Sequence, residues 1–181
     1  MYNRIYYTIP QANNLINVLG GVDVANKSQI EGEVRFLRAL AYYYLIDCFG
    51  KGVLATEENF GQSAPLPEVS RAELYNYVEN ELLAVEGLLP DSNSYGRADK
   101  ASAQFLLARL YLNAEVYTGT AQYANALSYA EKVITGSGHS LAPEFLQNFS
   151  ADNHTSPEII FPLIADADVS QSYGNTTYIV N

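Results

Sequence analysis

Carboxylate pairs are the residues of this chain whose type and spacing come nearest to catalytic chemistry. Glu57 stands next to Glu58, and Asp166 lies close to Asp168. Hydrolysis of a glycosidic bond uses two carboxyl groups that face each other across a cleft, roughly 5 to 9 Å apart. Nothing in the spacing of these neighbours sets them across a cleft. We therefore interpret both pairs as ordinary solvated acids.

Histidine chemistry has two candidates, His139 and His154, and both lie in segments rich in Gly, Ser and Asn. A catalytic histidine needs a nucleophile or an orienting acid held beside it, and the sequence shows no such contact. The run Gly136-Ser137-Gly138-His139 lacks the third glycine of a dinucleotide fingerprint and the outer glycines of a nucleophile elbow. We expect exposed loop histidines and a flexible turn.

A calcium loop is the metal site that the sequence approaches most closely. Asp91, Asn93 and Gly96 match its first, third and sixth positions, but Tyr95 replaces the fifth ligand and Ser102 replaces the final Glu. Calcium affinity would be poor without that bidentate carboxylate. The sequence therefore predicts a turn followed by a helix cap, with no metal ion and no other cofactor.

The elements that must position any functional groups are amphipathic helices, of which residues 99–117 and 121–134 form the most regular pair. Asp99 and Thr120 are the predicted N-caps, and the Thr118-Gly119 connection is short enough to require an antiparallel arrangement. The apolar stripes are Ala103, Leu106, Leu107, Leu110, Ala114 and Tyr117 in the first helix, and Tyr123, Ala126, Leu127, Ala130, Val133 and Ile134 in the second. The pair has the size of one tetratricopeptide-like unit.

Three further helices are predicted upstream, and Ser28 and Ser70 each open one with a Glu three residues later, as in a capping box. Pro10 predicts a kink or a break in the first helix, and Cys48 is predicted to be a buried, inert thiol. The helical period fades after residue 136, and the run EIIFPL at 158–163 indicates a short strand. We predict a mostly α, tetratricopeptide-like α-solenoid of about five helices, with irregular loops and a short β segment near the C-terminus.

Four segments of this chain closely resemble the SusD/RagB family and keep the family's order. They are EGEVRFLRALAYYYLIDCFG at 31–50, SRAELYNYVENELLAVEGLLP at 70–90, GRADKASAQFLLARLYLNAEVYTG at 96–119 and FSADNHTSPEIIFPL at 149–163. The resemblance implies that residues 1–181 are one partial SusD-like domain, with a helical scaffold at 1–135 and a loop-rich part at 136–181. It also implies a fragment of a longer surface lipoprotein whose export signal and lipid anchor lie outside this sequence.

For function, the resemblance implies non-enzymatic binding of an oligosaccharide at the bacterial cell surface and its delivery to a TonB-dependent, SusC-type transporter in the outer membrane. In the family, ligand contacts lie mostly outside the repeat helices, including the region after the EIIF-like run. That region here holds the ligand-binding candidates Asp166, Asp168, Tyr173, Asn175 and Tyr178. A protein-interaction scaffold, a peptide ligand and a glycosidase are the alternatives.

Composition argues against one class of partner. The chain carries 20 acidic and 10 basic residues, a net charge of −10, which repels phosphate backbones and makes nucleic acid an unsuitable partner. It has 15 Tyr, 7 Phe and no Trp, and although most Tyr rings suit half-buried helix faces, some are candidates for stacking against sugar rings. No apolar run approaches the length of a membrane span.

Overall fold

A computed structural model of the protein describes residues 1–164. In this part of the chain the helices are α1 (Tyr2–Gly20), α2 (Lys27–Cys48), α3 (Arg71–Glu86), α4 (Lys100–Leu112), α5 (Ala114–Thr118) and α6 (Tyr123–Gly136). Successive helices pack on each other, α1 on α2, α2 on α3, α3 on α4 and α4 on α6. The predicted α-solenoid is therefore confirmed. None of the described helices combines the length and the apolar character that a membrane crossing requires.

The described part holds six α-helices because the predicted helix at 99–117 is divided in two. At Asn113 the backbone leaves helical geometry, with φ −98° and ψ 7°, and the side-chain amide donates to the Arg109 carbonyl over 3.1 Å. Asn side chains compete in this way for backbone groups that a helix would use. The residues after the break form the short helix α5.

Helices α4 and α6 form the antiparallel pair that the sequence predicts. Tyr111, near the end of α4, lies against Tyr129 in the middle of α6, with ring centroids 5.6 Å apart. Gln104, early in α4, and Lys132, late in α6, both donate to Glu86, over 2.8 and 3.2 Å. The N-cap of α6 is Gln122 and not the predicted Thr120.

Of the four predicted N-caps, Ser70 and Asp99 are confirmed, and Ser28 is wrong, as Thr120 is. The Ser70 hydroxyl accepts from the Glu73 amide over 3.2 Å, and the Asp99 carboxylate accepts from the Ser102 amide over 2.9 Å. Helix α2, in contrast, begins at Lys27 after Asn26, whose φ of 60° makes the turn, so Ser28 lies inside the helix and caps nothing. Left-handed backbone is a conformation that Asn tolerates better than most residues.

The core lies between the helices and is rich in Tyr. Tyr42, Tyr43 and Tyr75 are fully buried together with aliphatic residues of every neighbouring helix. The predicted burial of Cys48 is wrong, since this residue is exposed in the last turn of α2. Half of the predicted stripe of α6 is also exposed, because α4 covers only the face that carries Ala126 and Val133.

The β structure lies elsewhere than predicted. Residues 158–163 form turns and bends instead of a strand. The only strands among residues 1–164 are β1 (Gly52–Val53) and β2 (Glu68–Val69), which pair antiparallel within the connection between α2 and α3. A strand needs a neighbour for its backbone hydrogen bonds, and no described segment pairs with 158–163. Pro10 lies inside the single continuous helix α1 and does not divide it.

Candidate ligand-binding site

The predicted ligand-binding residues Asp166, Asp168, Tyr173, Asn175 and Tyr178 all lie outside the described residues. The structure does describe the segment that leads to them, 137–164. It returns from the end of α6 across α2 and α4. This segment and the helices that it crosses are therefore the place to look for a site.

Residues 137–164 are held in place by a small set of contacts. The Ser140 amide donates to the Pro157 carbonyl over 3.3 Å, and the Ala142 amide donates to a carboxylate oxygen of Glu158 over 2.8 Å. The ring of Phe161 packs edge-on against Phe36 of α2, with centroids 5.0 Å apart. The segment thus forms one wall of a groove on the helical scaffold.

This groove has two connected cavities. The larger, about 710 Å³, lies between α1, α2 and Leu163, and the smaller, about 300 Å³, lies between α2, α4 and residues 158–163. Leu40, Tyr44 and Leu163 line both. Small-molecule sites in proteins are typically about 300 to 1,000 Å³ and apolar, with a few placed polar groups. We call the two cavities together the α1–α2 groove.

The polar residues that line the α1–α2 groove are Arg4 and Thr8 of α1, Tyr44 of α2, Ser102 and Arg109 of α4, and Glu158. The Arg109 guanidinium lies 5.3 Å from the centroid of the Tyr43 ring. Within residues 1–164 neither Arg4 nor Arg109 takes part in an ion pair. Both guanidinium groups therefore have donors to offer to a hydroxyl-rich ligand.

A buried charge network fixes the neighbouring connection between α2 and α3. Arg38, which is 1% exposed, donates to Asn13 Oδ1 over 2.6 Å, to Glu81 Oε2 over 2.8 Å and to Glu57. Burial alone would raise the pKa of the Glu57 carboxyl, but the hydrogen bond and charge of Arg38 bring that pKa below its usual value. Glu57 is thus paired with Arg38, whose guanidinium also binds Glu81.

The backbone of the same connection is held by three side chains. The Tyr42 hydroxyl accepts from the Ala55 amide over 2.7 Å and donates to the Ala55 carbonyl over 2.9 Å. The side-chain amide of Asn13 donates to the same carbonyl over 3.0 Å, and the Tyr6 hydroxyl accepts from the backbone amide of Val53 over 2.7 Å. The base of this long loop is therefore rigid, and it presents residues 58–67 at the surface.

The other groups considered for catalysis or metal binding have structural roles. His139 Nδ1 lies 3.1 Å from the Pro157 carbonyl, which makes this side chain a partly buried clamp and not the exposed loop histidine that was predicted. The exposed His154 ring packs edge-on near Tyr95. Asp91, the first position of the calcium-like run, is paired with Lys100. Residues 1–164 contain no cluster of three His, Cys, Asp or Glu side chains suited to a metal ion.

The sequence did not single out the polar residues of the α1–α2 groove. Arg4 and Thr8 are one helical turn apart, as are Leu40 and Tyr44, so both pairs share a helix face. This i, i+4 spacing is visible in the sequence and could have predicted that the two residues of each pair lie on one face of their helix. The groove itself depends on how α1, α2 and α4 meet, which local sequence does not specify.

Comparison with known proteins gives a consistent result. The sequence model of the SusD-like_3 family, described as "Starch-binding associating with outer membrane", matches residues 1–112. The starch-binding protein SusD of Bacteroides thetaiotaomicron is 41% identical over 186 residues, an alignment that covers 99% of this chain and 33% of that protein. The chain thus spans about one third of the length of this relative.

Solved structures agree with the helical fold. Surface glycan-binding protein A of Bacteroides thetaiotaomicron, in complex with laminarihexaose, has a TM-score of 0.72 at 25% identity and matches 88% of this chain and 34% of its own. A laminarin-binding SusD-like protein has a TM-score of 0.79 at 23% identity over 88% of this chain and 36% of its own. These relatives are binding proteins, in agreement with the prediction that the chain is not an enzyme. The chain belongs to the SusD-like family.

Proposed function

We propose that this chain is part of a surface receptor of the bacterial outer membrane that captures a neutral oligosaccharide and passes it to a TonB-dependent, SusC-type transporter. The observation that carries this proposal is the 41% identity to a starch-binding protein over 99% of the chain. The family description, which places starch binding at the outer membrane, supports the location.

The chemistry of the α1–α2 groove supports a sugar as the ligand. A sugar ring offers apolar C–H faces and a rim of hydroxyl groups, so its binder needs apolar walls and a few hydrogen-bonding side chains. Leu37, Leu40 and Tyr44 supply such walls, and Arg4 and Arg109 supply donors. Individual contacts of this kind contribute about 1 kcal/mol, which corresponds to micromolar to millimolar dissociation constants for a few contacts together.

The residues predicted from the family resemblance remain part of the proposal. Asp166 and Asp168 follow closely on Leu163, which lines both cavities. Carboxylates are acceptors for sugar hydroxyls and would complement the donors that Arg4 and Arg109 offer. Tyr173, Asn175 and Tyr178 would add stacking and amide contacts. All five are proposed as ligand contacts.

Affinity electrophoresis through gels that contain starch, laminarin or xyloglucan tests the proposal. We expect retarded migration in at least one polysaccharide and no new reducing ends after prolonged incubation. Arg4→Met should weaken the retardation, while Lys27→Met, which removes a cation outside the groove, should leave it unchanged. Unretarded migration in every gel would refute glycan binding, and released reducing ends would indicate a glycosidase.

A protein partner is the second candidate function, and the outer face of α6 favours it. Tyr123, Leu127 and Ile134 follow one another at helical spacing and are 55%, 61% and 76% exposed. Exposed apolar stripes of this kind often mark contacts with other proteins. Co-purification with a SusC-type transporter that is lost in Leu127→Glu, with glycan binding intact, would assign this face to the transporter. Co-purification unchanged by that variant would exclude the face.

A further inference from the structure

Two half-exposed aromatic rings lie side by side where α1 begins and α2 ends. The ring centroids of Tyr2 and Phe49 are 5.2 Å apart, and their planes are inclined by 76°. Tyr2 is 46% exposed and Phe49 is 44% exposed. The ring of Tyr6, one turn further along α1, lies 4.8 Å from that of Tyr2. We call the exposed rings of Tyr2 and Phe49 the aromatic corner.

The aromatic corner rests on a rigid support. The Tyr6 hydroxyl accepts from the Val53 amide over 2.7 Å, which ties α1 to strand β1. The Phe49 amide donates to the Leu45 carbonyl over 2.9 Å, and Gly50, with φ of 86°, then turns the chain away. Rings held in this way lose little conformational freedom when a ligand covers them, which favours binding.

Charged side chains beside the aromatic corner neutralise each other. Lys51 follows Phe49 closely in the chain, and its Nζ lies 2.6 Å from Glu68 Oε2. Glu68 belongs to β2 and pairs with Val53 of β1, the residue to which Tyr6 is bonded. Both charged side chains are at least half exposed. The corner therefore combines apolar ring faces with an exposed donor and an exposed acceptor.

We propose that the aromatic corner is a sugar-contact site that binds a neutral pyranose ring of an oligosaccharide. The C–H face of the sugar stacks on one of the two rings and contacts the edge of the other, since their planes are inclined by 76°, and its hydroxyl groups bond to Lys51 and Glu68. The overall charge of −10 favours an uncharged ligand over an anionic one. The inference rests on the proposed function, because it takes the ligand class from there.

The corner also adjoins the α1–α2 groove. Met1 lines the larger cavity, and its sulfur lies 3.7 Å from the sulfur of Cys48, the neighbour of Phe49 in the chain. An oligosaccharide that occupies the groove therefore reaches the corner by extending past Met1. The corner would lengthen the binding surface by at least one sugar unit, so its contribution should grow with the length of the oligosaccharide.

The test is isothermal titration of the full chain with maltoheptaose and with laminarihexaose. In the double variant Tyr2→Leu with Phe49→Leu, apolar area is kept but the flat aromatic faces are lost. We expect the dissociation constant to rise about three- to tenfold, from the usual contribution of aromatic contacts. The matched control is Tyr7→Leu, which removes a ring that is 70% exposed on the same helix and should change affinity less than about twofold.

A second measurement uses the wild-type chain, so it does not depend on the folding of a variant. The ring-proton NMR signals of Tyr2 and Phe49 should shift during titration, while those of Tyr7 should not. Unchanged affinity in the double variant, or unshifted signals with saturable binding, would overturn the sugar-contact site alone. Absence of binding by the wild-type chain to every oligosaccharide would overturn both this inference and the proposed function.

Discussion

Replacement of Arg38 by Met should destabilise the fold by about 3 kcal/mol. The Arg38 side chain is 1% exposed and donates to Asn13 Oδ1, Glu81 Oε2 and Glu57. Met fills a similar volume without a charge or a donor, so the substitution removes the pairing and leaves little cavity. Because Arg38 joins α1, α2, α3 and the long loop, its loss weakens four elements together.

The size of this free-energy cost follows from the contacts that each partner of Arg38 retains in the variant. Removing one member of a buried ion pair costs about 3 to 5 kcal/mol, because the other charge stays buried without compensation. Glu81 retains Arg35, whose Nη2 lies 2.7 Å from Glu81 Oε1, and the Glu57 side chain is 32% exposed and can be hydrated. The buried Asn13 Oδ1 loses its donor and has no access to water. These compensations place the cost at the lower end of the range.

Urea unfolding followed by circular dichroism measures the effect. With a slope of about 1 to 3 kcal/mol per M urea, a loss of about 3 kcal/mol lowers the midpoint by roughly 1 to 3 M. The matched control is Arg109→Met, since this guanidinium is exposed and lies over the ring of Tyr43; it should cost less than about 1 kcal/mol. Equal midpoints for the two variants would refute the role given to the buried network.

Two further predictions concern stability. The pKa of Glu57 is lower in the folded chain than in the unfolded chain, so the charged carboxylate stabilises the fold at pH values above the unfolded-state pKa, and this contribution is lost as pH falls through the folded-state pKa. The stability advantage of wild type over Glu57→Gln, measured by urea unfolding, should therefore be largest at pH 7 and shrink toward pH 3. A difference that does not change with pH would contradict this prediction. Asp99→Ala should lower the free energy of unfolding by about 1 kcal/mol, because the Ser102 amide loses its acceptor. Asp99→Asn keeps a side-chain oxygen that can cap the helix, so it should cost clearly less. Equal losses in the two variants would show that the cap is not the cause.

Much of the fold could be predicted from local sequence, because helices and caps depend on residues close together in the chain. Ser70 with Glu73, and Asp99 with Ser102, form their caps within one helical turn. The Thr118-Gly119 connection likewise requires the antiparallel return of α6, since Gly119 takes a φ of 80° that favours glycine. These features involve no distant partner, so the sequence was sufficient for them.

The failures share the opposite cause, since they concern features decided by distant partners. Cys48 lies on an apolar helix, yet the elements among residues 1–164 leave it exposed at the end of α2. Leu127 and Ile134 are apolar at the correct spacing, but α4 packs on a different side of α6. The run at 158–163 has β character and finds no strand to pair with among residues 1–164. Periodicity states which face is apolar, and tertiary contacts decide whether it is buried.

The candidate site shows the same division. The residues nominated from the family resemblance lie beyond residue 164, where the structure does not test them. The α1–α2 groove, in contrast, is assembled from Arg4, Tyr44, Arg109 and Leu163, which are far apart in the chain. A local pattern identifies a helix face, whereas a groove requires knowledge of which faces meet. The ligand-sized cavity was therefore visible only in three dimensions.

The most direct test of the account is titration calorimetry of the chain with a neutral oligosaccharide, maltoheptaose first, at low and at high salt. We predict saturable binding with a micromolar to millimolar dissociation constant that changes little with salt, because stacking and hydrogen bonds to an uncharged ligand are weakly screened. Absence of saturable heat with maltoheptaose, laminarihexaose and xyloglucan oligosaccharides alike would contradict glycan capture by this chain.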